Sequence, residues 1–273
     1  MESAKENAMR RDERPFEEEE GESEIAAIEM QWTKKWEELG GPKLEFDTIR
    51  RREEFHILDG YVRDLPKGAR LLDGGCGMGY WTVYFSKMGY PTLGLDVSRA
   101  TIDKLKKLFP AAEFAVGDIR ATGLAEGSYD LYFSWGTFEH FEEGFGPVLS
   151  EAYRLLKPGG RLLISTPFDN LRLAFRSALF DEYQKVASRE RSRFYQWRLT
   201  RGEMARVLTQ HGFDVERVYM IHKRQGLMRW LQNMLGLSVQ STLNRGAAFA
   251  LTPFVPAVVF AHMILGVATK PRK

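Results

Sequence analysis

The sequence predicts an α/β fold: a parallel β-sheet with helices on both faces. Three observations predict it. Short, nearly all-apolar runs recur between residues 70 and 221, each is followed by a stretch of helical periodicity, and a glycine-rich turn joins the first run to its helix. Strands covered on both faces read as continuous apolar runs instead of alternating ones, and the crossover between parallel strands is usually a helix.

Residues 1–24 are polar, carry four consecutive glutamates at 17–20 and show no sustained apolar period. Such a composition does not repay the entropy of ordering, so a disordered acidic tail is expected there. Ile25, Ile28, Trp32, Trp36 and Leu39 then recur at steps of three and four, one face of a helix that ends at Gly40-Gly41. A second helix is expected at 47–65, with Ile49, Phe55, Leu58 and Val62 as its buried stripe and Pro66-Lys67-Gly68 as its stop. Strands follow at 70–73, 92–96, 113–116, 129–135 and 161–166, alternating with helices at 80–88, 98–109 and 145–156, the second of these capped by Ser98. The alternation lapses at about 168–199, a stretch rich in Arg, Phe and Tyr that reads as an insertion over the carboxyl edge of the sheet. It resumes with a helix at 200–211 and a strand at 213–221.

Composition agrees with a globular enzyme-sized chain. Its 273 residues are 44% hydrophobic, with 39 Lys+Arg against 37 Asp+Glu and one Cys. Collagen-like, wholly disordered and disulfide-stapled classes are excluded. Residues 1–30 hold 11 acidic and 4 basic side chains, so the remainder is basic by +9. A charged start and a single Cys suggest the cytoplasm.

The sharpest chemical signal is Asp73-Gly74-Gly75-Cys76-Gly77-Met78-Gly79, where the first strand turns into its helix. A ligand at the tip of that strand needs backbone without Cβ atoms, supplied by Gly75, Gly77 and Gly79, and a helix N-terminus with free N–H donors. A tight turn without a ligand is the plainer reading. The third glycine of a dinucleotide fingerprint belongs at position 80, where the chain has Tyr80, which speaks against a nicotinamide or flavin cofactor. Asp96 closes the second strand, 17 residues beyond Gly79, where a carboxylate suits a ribose diol. Asp118 ends the third strand, within reach of an adenine amino group. Each acid alone reads equally as a cap or loop residue; the three features together describe a nucleoside pocket.

Leu71 to Gly79, Gly94-Leu95-Asp96-Val97-Ser98, Gly117-Asp118-Ile119, Tyr129-Asp130-Leu131 through Phe138-Glu139-His140, and Leu155-Leu156-Lys157-Pro158-Gly159-Gly160 resemble, in order, the motifs of class I S-adenosylmethionine-dependent methyltransferases. The resemblance runs from about Leu71 to Thr166 and is similar to the branch that methylates small molecules, quinones and lipids. It implies a Rossmann-like, doubly wound sheet of seven strands, mostly parallel with an antiparallel last strand. It further implies S-adenosylmethionine as cofactor, with the glycine loop and Cys76 against the methionine part and Asp73 near its amino group. Asp96 falls on the ribose hydroxyls and Asp118 with Ile119 around the adenine, and Val97, Ser134 and Trp135 join the cofactor-binding set. The chain then divides into a tail at 1–24, an N-terminal helical lid at 25–66, and a methyltransferase domain at 67–273 with insertions at about 168–199 and about 223–256.

The cofactor carries an activated methyl group, so alignment is the protein's main task and no nucleophilic triad is required. His140, in the loop after the fourth strand, is the candidate base for an acceptor that must lose a proton; shaping the loop together with Glu139 is the other reading. Trp135 either shields the methyl group, lines the acceptor site or belongs to the core. The Arg50-Arg51-Arg52 run is a candidate carboxylate clamp or simply solvated. His56, His211 and His222 have no partner spacing for a metal. Residues 172–245 hold 14 basic and 6 acidic side chains with interleaved aromatics, suited to an anionic or lipid-like acceptor, a nucleic acid or an anionic lipid face, or merely solvated. The sequence Ser134-Trp135-Gly136-Thr137 lacks the Pro-Pro-aromatic element of amino-methylating DNA enzymes, which disfavours nucleic acid.

Residues 246–269 carry no formal charge. As one helix they would span roughly 36 Å, enough for a bilayer, but Pro253 and Pro256 interrupt them. A buried final strand at 257–268 suits the resemblance best; peripheral membrane contact and a true span are the other readings. The main functional expectation is methyl transfer to a small-molecule acceptor by in-line displacement. A lipid or quinone methyltransferase at the membrane surface and a non-catalytic S-adenosylmethionine-binding regulator are its alternatives.

Overall fold

A computed structural model describes residues 9–15, 24–40, 47–173 and 192–272. Strands β1 (Arg10–Pro15), β2 (Leu71–Gly74), β3 (Thr92–Asp96), β4 (Glu113–Val116), β5 (Tyr129–Trp135), β6 (Leu156–Pro167), β7 (Ser192–Arg198), β8 (Asp214–Ile221) and β9 (Met263–Thr269) form two sheets. Seven of them make the main sheet in the order β4-β3-β2-β5-β6-β9-β8. The pairs β2–β3, β3–β4, β2–β5 and β5–β6 are parallel, and β9 runs antiparallel to both β6 and β8. Strand order reverses between β2 and β5, and the crevice beyond the carboxyl ends at such a switch point is where an open α/β sheet receives a ligand.

The period of two along each strand divides the core. Leu72, Tyr132, Leu162, Ile164 and Ile264 face one layer, with Val148, Leu149, Ala152 and Leu208 from the covering helices. Leu71, Leu131, Phe133, Leu163 and Val267 face the other, against Leu58, Trp81 and Phe85. The helices are α1 (Glu24–Glu38), α2 (Asp47–Arg50), α3 (Glu53–Arg63), α4 (Tyr80–Lys87), α5 (Arg99–Leu108), α6 (Gly146–Leu155), α7 (Arg201–Gln210), α8 (Lys223–Leu235), α9 (Thr242–Leu251) and α10 (Ala257–Phe260). Ser98 caps α5 by accepting from Thr101 N, and Thr200 with Glu203 closes a capping box on α7.

Four expectations change. The tail expected to be disordered holds a strand at 10–15, which pairs antiparallel with β7. Asp12 anchors it by accepting from Gln196 Nε2 at 2.9 Å and Arg198 Nε at 2.6 Å. The rest of the expected tail, apart from Met9 and Glu24, falls outside the described residues, as does most of the first insertion, 174–191. The single helix expected at 47–65 is two, because Arg52 adopts an extended conformation as the N-cap of α3. The final strand starts at Met263, not at 257: Pro256 opens the helical turn α10 instead. The loop expected before it is α9 followed by a 3-10 turn over Thr252–Phe254. No helix among the described residues is long and apolar enough to cross a membrane.

Gly226 in α8 lies directly under the Phe260 carbonyl, with no room for a Cβ against that backbone. Gly226→Ala is expected to push α8 off α10 and lower stability by roughly 2–3 kcal/mol, read from denaturant unfolding.

Candidate functional site

The site grows from the tip of β2. Gly75, Gly77 and Gly79 have φ of +73°, +50° and +69°, in the left-handed region where a Cβ is costly. The loop they form is tied to the next strand: Gly75 N and Cys76 N both donate to Leu95 O, at 2.7 and 2.9 Å. Gly77 N donates to Asp96 Oδ2 at 2.8 Å, and Asp96 Oδ1 accepts from Ser98 N at 3.0 Å. One buried carboxylate therefore staples the glycine loop to the start of α5.

A cavity of about 270 Å³ opens over this staple, lined by Asp73, Gly75, Cys76, Gly77, Asp96, Val97, Ile119, Trp135 and His140 from the expected set. A Cβ on Gly77 would stand 2.8 Å from the Trp36 ring, and one on Gly75 would collide with Thr137. Three expected residues lie elsewhere. Asp118 is held by Arg120, whose Nε and Nη2 donate to its Oδ2 at 3.0 and 2.9 Å, so its carboxylate serves that ion pair while Gly117 and Ile119 line the cavity. Ser134 is buried and donates to Gly74 O at 2.6 Å, bracing β5 on β2. Gly79 starts α4 and packs on Leu105 and Phe114, where a Cβ would meet both at 2.8 Å.

The rest of the lining comes from segments that sequence reasoning left as loop or lid. Trp32 and Trp36 of α1 stack at 5.2 Å and close the cavity from above. Thr33 Oγ1 and Ser98 Oγ share a hydrogen bond of 2.6 Å, and Arg99 N donates to Glu29 at 3.1 Å, which seats α1 on the tip of β3. Of the arginine run, Arg52 reaches the lining. Ile28, Leu39, Met78, Tyr80, Trp81, Gly136, Thr137 and Phe141 complete it. Gly136 and Thr137 follow the fourth strand directly, and that position is the one signal that could have found them.

Burial tunes the charges. Asp73, 1% exposed, accepts from Thr82 Oγ1 at 2.7 Å, yet desolvation lifts its carboxyl to about 7. Desolvation likewise raises Asp96, against the pull of the Ser98 and Gly77 N–H groups. Burial drives the Cys76 thiol up, with the neighbouring Asp96 and Asp73 adding to it. His140 Nδ1 lies 2.8 Å from Tyr195 O; donating there places the neutral ring's lone pair on Nε2. Trp32 meets the imidazole edge-on at 5.2 Å. Behind Gly136, Glu139 is 2% exposed, keeps Oε2 without a hydrogen-bond partner among the described residues, and is raised by burial to about 8.

These residues fit a sulfonium nucleoside with an amino-acid tail. At Gly75 and Gly77 the loop runs so close to Thr137 and Trp36 that a Cβ would collide with them, and this close approach holds those two cavity-lining side chains against the loop. Asp73 is a buried acid without a cationic partner among the described residues, the arrangement that an ammonium group would correct. Trp36 and Trp135 line the cavity and each keeps a buried indole N–H without a partner among the described residues. No group of three or more His, Cys, Asp or Glu that could hold a metal occurs among the described residues.

Comparison with known proteins agrees. Residues 72–164 match the family model described as a methyltransferase domain. A Mycolicibacterium smegmatis protein described as a probable S-adenosylmethionine-dependent methyltransferase is 26% identical over 67% of this chain and 66% of its own length. The malonyl-[acyl-carrier protein] O-methyltransferase of Methylococcus capsulatus is 34% identical over 54% of this chain and 57% of its own. The chain thus spans less than two thirds of these relatives. The crystal structure of an S-adenosylmethionine-dependent methyltransferase from Methanosarcina mazei superposes with a TM-score of 0.56 at 16% identity, over 80% of this chain and 98% of that one, a likeness of fold.

Proposed function

We propose that this chain, whose residues 72–164 are a methyltransferase domain of the class I S-adenosylmethionine-dependent kind, transfers a methyl group to a small-molecule acceptor held in the cavity. The observation that carries the reading is the Gly77 N–H to Asp96 bond, which makes the close-approach loop and the strand-tip carboxylate parts of one surface. S-adenosylmethionine supplies, when bound, a methyl carbon activated for displacement by its sulfonium.

The protein's share is alignment, which in well-held pairs is worth roughly 7–11 kcal/mol. Asp73 holds the amino group, and the ionised form of that buried acid is restored by the cation it pairs with. Asp96 keeps lone pairs for the ribose hydroxyls beyond the two backbone N–H groups it already binds. The Trp32–Trp36 stack excludes water from the reacting face. Arg52, exposed and part of the lining, offers a guanidinium to a carboxylate of cofactor or acceptor. His140 Nε2 takes a proton from the acceptor where the acceptor must lose one, its tautomer set by the Tyr195 carbonyl.

Calorimetry with S-adenosylhomocysteine, followed by its formation from S-adenosylmethionine with free and acyl-carrier-bound carboxylic acids as acceptors, tests the reading; a chain that binds neither nucleoside refutes it. His140→Ala is expected to lower turnover at saturating acceptor by about a hundredfold while leaving S-adenosylhomocysteine affinity in place. Unchanged turnover would remove the base and leave His140 as a wall.

A further inference from the structure

We propose that the α8–α9 hairpin is a docking surface for an anionic lipid bilayer, on which the protein sits with the carboxyl edge of its sheet beside the membrane. The hairpin has its own small core, Leu227, Leu231 and Ala248, with Met228, Trp230 and Phe260 packed around it. That core accounts for the inward faces of both helices. It leaves Met234, Leu235, Leu243, Phe249, Leu251 and Phe254 exposed, with Phe249 at 70% and Phe254 at 84%. These six are half of the large hydrophobic side chains found exposed among the described residues. Clusters of this kind mark an interaction surface, whereas singly scattered apolar residues do not.

Charge selects the partner. After Glu216 the chain has no Asp or Glu to its end, while Lys223, Arg224 and Arg229 of α8 and Arg245 of α9 are basic. Arg245 and Phe249 are four residues apart on α9 and share a face, both exposed. An apolar side chain dipping below a cation on the same helical face matches the headgroup boundary of an anionic leaflet. A protein partner is favoured by charges of both signs, which set register, whereas α8 and α9 themselves carry no acidic residue. The apolar residues also cluster at helix ends and the following turn, Met234 and Leu235 closing α8, Leu243 opening α9 and Phe254 in the 3-10 turn. Neither helix is long enough to span a bilayer, so the pair lies in its surface.

Position gives the contact a purpose. β8 and β6 are both antiparallel to β9 and therefore parallel to each other, so α8 begins at the carboxyl edge that also carries the cavity. His222 Nε2, at the start of α8, meets Glu54 Oε2 at 2.9 Å in the first turn of α3, two residues from the cavity-lining Arg52. The hairpin is thus joined to the cavity wall, and a bilayer under it borders the site where an acceptor enters.

The test is sedimentation of the full chain with phosphatidylcholine vesicles, with and without about 30% phosphatidylglycerol. Binding is expected to need the anionic lipid and to weaken from about 0.1 M to about 1 M salt. Phe249→Asp with Phe254→Asp is expected to reduce binding about tenfold or more, and Arg224→Gln with Arg245→Gln roughly thirtyfold. Circular dichroism and S-adenosylhomocysteine affinity report the fold of each variant; should the aspartate pair misfold, the glutamine pair decides. A chain that ignores anionic vesicles, or variants that bind as the parent does, overturn the proposal. So does self-association through this face, seen by light scattering as a dimer that the aspartate pair dissolves while vesicle binding is absent.

Discussion

Asp96→Asn is expected to weaken S-adenosylhomocysteine binding by about a hundredfold and to lower stability by roughly 1–3 kcal/mol. Both effects have one cause. The carboxylate accepts from Gly77 N through Oδ2 and from Ser98 N through Oδ1, so each oxygen already faces a backbone donor. An asparagine amide must turn its NH2 towards one of them, setting donor against donor in a site 7% exposed. The loop loses its staple and the ribose loses its acceptor together. Asp118→Asn supplies the contrast: that carboxylate serves Arg120 and does not line the cavity, so affinity is expected to stay within about threefold of the parent's. Isothermal calorimetry on both variants, beside urea unfolding, separates the two. Equal losses of affinity would mean that Asp118 leaves Arg120 when the nucleoside binds.

The same pair of aspartates shows how far the residues alone can be read. Both stand at the carboxyl tips of neighbouring strands, β3 and at β4's exit, and in sequence they look alike. What separates them is Arg120, two residues beyond Asp118, whose side chain folds back and also reaches Glu143 at 2.8 Å. Pairing of that kind depends on the loop's path and leaves no periodic trace. The buried strands were legible because their apolar runs are continuous, and the loop because left-handed backbone at Gly75, Gly77 and Gly79 needs glycine. β1 was not legible: six residues reading RRDERP gain their order from hydrogen bonds to β7, more than 170 positions away. The contact of Trp36 with the glycine loop was half legible: the stripe of Trp32 and Trp36 and the lid expected at 25–66 specify that the helix covers the site, not which loop residue it meets. Glu139 was legible as a residue that shapes the loop with His140, but its complete burial was not, because nothing in a single loop carboxyl marks it as desolvated.

That buried glutamate gives the second large effect. Glu139→Gln is expected to raise stability at pH 8 and to flatten the pH dependence above pH 7. In the unfolded chain a glutamate ionises near its ordinary value of 4.5, whereas burial holds the folded Glu139 proton until about pH 8. Between those values folding takes up a proton, so stability is highest below 4.5 and falls as pH rises towards 8. Asp73 acts with the same sign, but its carboxyl ionises at about 7 and its contribution stops changing above that point. His262 acts against both: buried and held down to about 3 from 6.5, it makes stability rise with pH until 6.5 and then no further. The opposing slopes overlap below 6.5, and only the carboxyls remain above it. From pH 6.5 to 8 the parent is therefore expected to lose roughly 2 kcal/mol, most of it from Glu139. Glu139→Gln, isosteric and uncharged, removes that loss and retains the slope from Asp73 below 7. Urea midpoints at pH 6.5, 7 and 8 read the difference directly. A parent whose stability is level or rising across that interval would show that Glu139 ionises in the folded state with a cation at Oε2, and the carboxyl would then be a charged wall of the site instead of a protonated one.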